Sequence, residues 1–518
     1  MTDIVISVVP KIDPYAPTVG PAALKAHLQA AGYSCTVIDH NIRLYNYLET
    51  KNLGNHYYYE DDSGFMSWIN IGIDPVTGET GFQLDTNFDK LYDDIKDELD
   101  RWIQELKDIN PTWIGLSMLS RFSCAVGIKM CQLIREHIPA AKIVIGGAAI
   151  REWFTTWIRR GWADYFIFGD SERAIIELLN GNVAYPGING ATPVQINDLN
   201  ELLIPDYSDI AWDDYKKDHT KNPVFVTASR GCVKHCDFCD VPILWPKYKF
   251  RSGEHVTNEI LELFDRYQRR TIKFTDSLIN GSMKAFRELL TNLAEHNKNI
   301  MIGDDKDIKW ESQWIVRPKN QSPESDFALM KASGCIELDI GVESFSQHVR
   351  YDMGKKFTDE DMWWCFEMLD KYEIPFQMLM IIGYPTETEE DHQHTLNTVR
   401  RMDQLGYISK PGRNRAPGGR FSFGNTLMLG EGLPIWDKYK DKLEYNPSEI
   451  DWKFNDNDLS ARLRRYIEVN ELVSDITGEE MTWFLEKSKR EYEQSLNNKK
   501  IQEDKSAGSG DSNATSPT

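Results

Sequence analysis

No apolar run in the sequence approaches the roughly 18 residues that a membrane-spanning helix needs, so no span is expected. Cysteine is scarce, with 8 residues in 518. That excludes a disulfide framework and fits a cytosolic protein with one metal or redox cluster. Positive charge is in deficit. Lys and Arg total 59 against 80 Asp and Glu, a net charge of −21. Such a field opposes a phosphate backbone, which argues against a nucleic-acid partner. The one basic candidate is RRMDQLGYISKPGRNR, residues 400–415. No basic region precedes the first apolar run, Ile4 to Val9. That run is short for a signal peptide and reads as a strand, and a cytoplasmic location is expected. No internal repeat is present. Low-complexity sequence is confined to 501–518, expected to be a disordered tail.

A hydrophobic fraction of 41% with 11% aromatics is that of a globular chain, and 518 residues suffice for two to four domains. The first 184 residues alternate short apolar strands with amphipathic helices. This predicts a Rossmann-like, doubly wound parallel sheet covered on both faces. Strands are expected at DIVISVVP, YSCTVID, WIGLSML, KIVIGG and ADYFIFGD. Residues from about 41 to 100 read as an insertion, a hairpin or lid whose charged end returns as a helix. The Pro-, Gly- and Asn-rich stretch 185–221 reads as a linker. From 222 to 430 six further strand–helix units follow, predicting an α/β partial (β/α)6 TIM barrel with its chemistry at the C-terminal strand ends. Residues 431–500 are expected to be mainly helical.

The strongest local signal is SRGCVKHCDFCDVP, which places Cys232, Cys236 and Cys239 within eight positions after the first strand of the second series. A zinc site needs four ligands, and His235 is the one neighbour available as the fourth. An iron–sulfur cluster held by three cysteines leaves one iron open.

The C-x3-C-x2-C spacing, with Phe238 before the last cysteine, resembles the radical S-adenosylmethionine (SAM) superfamily. The resemblance implies a [4Fe–4S] cluster on the three cysteines, SAM on the open iron and reductive cleavage to a 5′-deoxyadenosyl radical. It assigns Phe238, Asp276, Ser277, Gln313, Gly341, Gly383 and Pro385 to SAM binding. It gives Glu343, Ser344 and Arg317 the roles closest to catalysis. These lie in FTDSLIN (274–280), WESQWIVR (310–317), LDIGVESFSQHVRYDMGKKFT (338–358) and MIIGYPTETEEDHQHTL (380–396).

In the first domain, Ser117-Met118-Leu119 followed by Gly146-Gly147 resembles the S-x-L…G-G half of the cobalamin motif. DYFIFGDSERAIIELL (164–179), which contains Gly169, resembles the segment that follows it, and IPDYSD (204–209) also fits. Ser117, Leu119, Gly146, Gly147 and Gly169 are therefore expected to hold cobalamin. The motif's other half, D-x-H-x-x-G, is absent: Asp13-Pro14-Tyr15 contains no histidine, so cobalt would lack that ligand. A vestigial domain that binds nothing is the alternative.

The remaining cysteines, Trp153, Trp157, Trp363 and Trp364 read as core, and Tyr57-Tyr58-Tyr59 as a solvated hairpin. The expected activity is methylation of an unactivated carbon. Radical rearrangement, cyclisation or oxidation without methyl transfer is the alternative, ahead of a non-enzymatic iron–sulfur or zinc protein. The expected partners are a small-molecule or peptide substrate and an electron donor of the flavodoxin or ferredoxin kind.

Overall fold

The computed structural model describes residues 2–60, 69–78, 80–84, 87–151, 154–215, 222–300, 306–410, 418–424, 426–445, 448–478 and 485–497. The expected tail, Trp153 and most of the basic end of 400–415 lie outside the described residues. The chain divides into two compact units, one of residues 1–231 and 241–276, the other of 232–240 and 277–518. Among the described residues no helix is long and apolar enough to cross a membrane.

The first unit begins with β1 (Ile4–Val8), α1 (Val19–Ala30), β2 (Cys35–Asp39) and α2 (His40–Thr50). Next come the hairpin β3 (Ile69–Ile73) and β4 (Thr80–Leu84), then α3 (Asn87–Ile109). β5 (Trp113–Ser117), α4 (Cys124–His137), β6 (Lys142–Gly146), α5 (Thr155–Arg159), β7 (Tyr165–Phe166) and α6 (Ser171–Leu179) complete a parallel sheet of order β2-β1-β5-β6-β7. All five residues of β1 are buried, because both faces are covered. Val5 joins one apolar cluster and Ile4 and Ile6 another, as the two-residue period of a strand requires. The order reverses between β1 and β5. Ligands of open α/β sheets bind beyond the C-terminal ends of the strands at such a switch point.

The expected insertion is smaller than its sequence suggests. His40–Thr50 is the helix after β2, capped by Asp39, whose carboxylate accepts from Ile42 N at 3.0 Å. The hairpin is present as expected, but the tyrosines are not in it. They occupy a single π-turn, His56–Glu60, in which Tyr58 is buried and donates to Asn41 O at 3.0 Å. The expected linker packs on the first unit. Lys25 of α1, itself buried, meets Asp209 at 2.7 Å and Ser208 at 2.7 Å, so IPDYSD is tied to the sheet's outer helix.

The same unit continues with β8 (Val224–Val226), β9 (Ser229–Arg230), α7 (Val241–Leu244), β10 (Lys249–Phe250), α8 (Gly253–Tyr267) and β11 (Thr271–Phe274). β8 and β11 are parallel, while β9 and β10 form a short antiparallel pair. In the second unit α9 (Met283–Lys298), β12 (Lys309–Trp314), α10 (Glu324–Ala332) and β13 (Cys335–Glu343) lead to α11 (Gln347–Asp352) and α12 (Asp359–Lys371). Then follow β14 (Phe376–Met380), α13 (Glu389–Gln404), β15 (Gly419–Phe423), α14 (Pro434–Tyr439) and α15 (Leu459–Thr477). Strands β12 to β15 lie in sequence order, all parallel. Reciprocal capping boxes, Thr358 with Asp361 and Thr388 with Asp391, start α12 and α13 sharply after the strand-end loops. The chain thus carries the six strand–helix units of a partial (β/α)6 barrel after a Rossmann-like sheet. A helical C-terminal region follows, with a last described helix within 485–497.

Candidate functional site

Gly231 opens the cysteine loop at φ +83°, and a Cβ there would come within 2.8 Å of Lys247 O, so only glycine fits. Beyond it Cys236 is buried, and Cys232 and Cys239 are half-buried. Lys234 N donates to Cys232 Sγ at 3.3 Å, and Cys239 N donates to Cys236 O at 3.1 Å, which curls the loop into a tight turn. The end of α11 supports it: Asp237 N donates to Met353 O at 3.1 Å, and a Cβ on Gly354 would meet His235 O at 2.9 Å. Among the described residues no three His, Cys, Asp or Glu side chains converge on one metal-ion position. His235, the one sequence candidate for a fourth zinc ligand, is exposed. Three thiolates suit a cluster in which each binds a different iron and one iron stays open.

Facing these thiols is a buried ion pair. β13 ends in a register irregularity against β14 between Gly341 and Glu343, and Glu343 sits at φ +64°, left-handed backbone that a glutamate rarely adopts. Its carboxylate meets Lys355 Nζ at 2.8 Å, and Lys355 also donates to Gly341 O at 3.1 Å. A Cβ on Gly341 would lie 2.5 Å from Lys355 Nζ and 2.8 Å from Glu343 Oε1, so this glycine makes room for the pair. Burial pushes the Lys355 ammonium down, but Glu343 and Cys236 outweigh it and hold the amine above its ordinary range. Burial likewise pushes the Cys236 thiol up, and Lys355 opposes that. Phe238 has its ring centroid 6.0 Å from the same ammonium. Cys236, Phe238, Gly341, Glu343 and Lys355 therefore form one constellation.

Several other expected residues are hydrogen-bonded into the surrounding frame. Ser344 Oγ accepts from Ser346 N at 3.2 Å, and its carbonyl accepts from the buried Arg350. Arg317 donates to Asn280 O at 2.6 Å and Gly281 O at 2.9 Å, closing the loop before α9. The Gln313 carbonyl accepts from Ile279 N at 3.0 Å, and its side chain is exposed. Asp276 is buried at the end of β11, accepts from Ala228 N at 3.0 Å and binds the Ser229 hydroxyl. Burial pushes its carboxyl up to about 7. Ser277 beside it is half-buried. Gly383, at φ +88°, packs against Arg462 of α15, and Asn457 Nδ2 donates to Tyr384 O at 2.7 Å and Pro385 O at 3.3 Å.

At the switch point of the first unit, Val9 N donates to Ser117 O at 3.0 Å. Gly147 and Gly169 have positive φ, and a Cβ on either would collide with backbone of Met118 or Val194. Glycine alone meets both the backbone conformation and the close approach there. Gly146 differs: only Ser171 Oγ, at 3.8 Å, is near its Cβ position. Leu119, 48% exposed, lies just past the end of β5. These two residues leave the sheet edge open and apolar, which fits the tail half of a cobalamin site. Asp13-Pro14-Tyr15 provides no axial histidine.

The sequence reading missed four residues. Lys355 lies within 338–358, twelve positions after Glu343, with no spacing signal that joins the two. Asp170 and Glu172 meet Arg230, which lies two residues before Cys232: Arg230 reaches Asp170 at 2.8 Å and Glu172 at 2.5 Å. The usable signal was an arginine just ahead of the cysteines and an acidic D-S-E turn opening α6.

Residues 226–399 match the sequence profile of the radical SAM superfamily. That segment is a radical SAM domain. Among curated relatives, an uncharacterized methyltransferase of Pyrococcus horikoshii is 26% identical over 47% of this chain and 50% of its own length. A tRNA-2-methylthio-N(6)-dimethylallyladenosine synthase of Pelobacter propionicus is 30% identical over 37% of this chain and 44% of its own. The chain thus spans half or less of these two relatives. Among solved structures, the radical SAM methyltransferase TsrM of Kitasatospora setae, with cobalamin and a [4Fe–4S] cluster bound, aligns at TM-score 0.59 and 16% identity. That alignment covers 88% of this chain and 83% of TsrM. The likeness shows that the Rossmann-like sheet and the radical SAM domain share one fold with it.

Proposed function

We propose that this chain is a cobalamin-dependent radical SAM enzyme that methylates an unactivated carbon. The observation that carries the reading is the three-thiol loop, with Cys236 beside the buried Lys355–Glu343 pair, in a chain whose Rossmann-like sheet ends in the open edge at Gly146 and Leu119. That TsrM and the Pyrococcus relative are both named methyltransferases supports the methyl-transfer part.

Cys232, Cys236 and Cys239 would hold the cluster, and Ser117, Leu119 and Gly146 would line the cobalamin tail. When bound, these groups supply one-electron cleavage of SAM and methyl transfer. The protein supplies position and charge. Lys355 presents a buried cation suited to a carboxylate such as SAM's, and Glu343 presents an anion suited to an ammonium. Phe238, half-buried, packs beside Val349 and Met353 and sets an apolar ring near the Lys355 ammonium. The substrate is taken to be a small molecule or peptide, and the electron donor a flavodoxin or ferredoxin.

The test is anaerobic. The reconstituted chain is given hydroxocobalamin, SAM and dithionite, and 5′-deoxyadenosine is measured by mass spectrometry beside a Cys232→Ala control. Deoxyadenosine above the control is expected. Its absence, with SAM leaving the cluster's EPR signal unchanged, would refute the reading. Cobalamin binding has its own arm. Gly146→Val should melt near wild type, since its Cβ meets open space, yet lose retained cobalamin by absorbance. Deoxyadenosine formation with no cobalamin retained by wild type would favour radical chemistry without methyl transfer.

A further inference from the structure

A polar network outside the SAM constellation grips the cysteine loop from the C-terminal region. Its centre is Lys438 of α14, whose Nζ lies 2.8 Å from Asp237 Oδ2, 2.8 Å from Asp352 Oδ1, 2.7 Å from Asp352 O and 2.8 Å from the Tyr384 hydroxyl. Tyr384 donates to Asp237 Oδ2 at 2.6 Å, and Tyr439 donates to Asp352 Oδ2 at 2.6 Å. The backbone joins in: Ile435 N donates to Asp237 O at 2.8 Å. Asp237 directly follows Cys236, and its Oδ1 is buried with no hydrogen-bond partner. One ammonium therefore balances two carboxylates, one of which sits inside the cluster-binding loop.

We infer that Lys438 is a positioning residue for the cluster: it fixes the loop through Asp237 and sets the reduction potential of the iron–sulfur centre by offsetting that carboxylate's charge. The inference rests on the cluster reading above. The physical argument is Coulombic. An added electron is repelled by a nearby uncompensated anion, and in a partly desolvated loop the repulsion is weakly screened. Cluster potentials respond to net local charge and hydrogen bonding. Apolar cover strengthens the effect, because Phe238 packs against the cluster of Val349, Met353, Tyr384 and Trp452 beside the network.

Charge and packing separate by sign. Removing the cation in Lys438→Met leaves Asp237 and Asp352 uncompensated and should move the potential negative. Removing the anion in Asp237→Asn leaves the cation and should move it positive. Tyr439→Phe deletes a hydrogen bond without deleting a charge and should leave the potential in place. Lys438→Arg keeps the charge and should stay near wild type.

The experiment uses the full chain, reconstituted anaerobically, with iron and sulfide counted. It is then titrated with dithionite under EPR without SAM, so no turnover is read. Opposite shifts in Lys438→Met and Asp237→Asn, with Tyr439→Phe unmoved, are expected. Asp237→Asn carries the sign test alone should Lys438→Met fail to fold. Both charge variants fully loaded at the wild-type potential would overturn the inference, as would shifts of the same sign. A wild-type chain that takes up no iron and sulfide would overturn the functional reading instead, so the two failures are distinct.

Discussion

At the residue scale, the informative feature is a buried charge with one specified partner. Lys355 and Glu343 are 8% and 7% exposed. Truncating one member of such a pair costs about 3–5 kcal/mol, because the other is left charged and desolvated. Lys355→Met should therefore lower the thermal midpoint of the apo chain markedly. The double variant Lys355→Met, Glu343→Gln should recover much of the loss, since no charge is stranded, yet still fail to bind SAM. Scanning calorimetry beside equilibrium dialysis of SAM reads both. A double variant as unstable as the single would show that the pair is not the source of the loss. Glu343 was legible in the sequence through the family resemblance of 338–358 and because chemistry in barrels sits at the C-terminal ends of strands. Its partner was less legible: twelve positions separate them, with α11 between. Asp276, Ser344 and Arg317 were also read as ligand contacts. Each makes hydrogen bonds to nearby backbone, and Asp276 also binds the Ser229 hydroxyl. Sequence identifies a polar strand end, and cannot say whether it turns outward or back onto the frame.

At the element scale, periodicity carried most of the reading. Five short apolar runs became the parallel sheet, because strands covered on both faces need no alternation. α2 was absorbed into the expected insertion because HNIRLYNYLET mixes polar residues into its apolar stripe, and its start depends on a cap at Asp39. Val224–Arg230 is not one continuous strand: the chain leaves β8 at Val226 and re-pairs at Ser229–Arg230 with Lys249–Phe250. That antiparallel turn brings Arg230 to Asp170 and Glu172 at the start of α6. Burial raises the Glu172 pKa, and the Arg230 guanidinium more than offsets it, leaving the carboxyl below its usual range. Arg230→Met should strand both acids and cost about 3–5 kcal/mol by urea denaturation. Asp170→Asn should cost less, since Glu172 still holds the arginine. Equal costs would mean that the two carboxylates act as one unit.

At the scale of the whole molecule, two buried acids whose pKa values rise to about 7 make stability pH-dependent in a definite direction. Burial pushes the Asp276 carboxyl in one unit and the Glu387 carboxyl in the other up to about 7. In the unfolded chain their ordinary values are 3.8 and 4.5. The folded state therefore binds protons that the unfolded state releases. This contribution is fully present below about pH 4 and is lost as pH rises through about 7. For Asp276 the span of about three pKa units corresponds to at most about 4 kcal/mol. Glu387 is partly relieved by Arg465 at 3.9 Å and by Gly383 N at 2.5 Å, so its own swing should be the smaller. Paired acids oppose the trend. Glu389, held to about 2 with Arg464 at 2.5 Å despite burial, adds stability that is lost only as pH falls through that value. The net expectation for the apo chain is a midpoint that declines from pH 5 to pH 8, with Asp276→Asn flattening the decline. The variant's melting temperature relative to wild type should rise across that window. A difference constant from pH 5 to pH 8 would show that the buried carboxyl ionises in the fold as readily as in water.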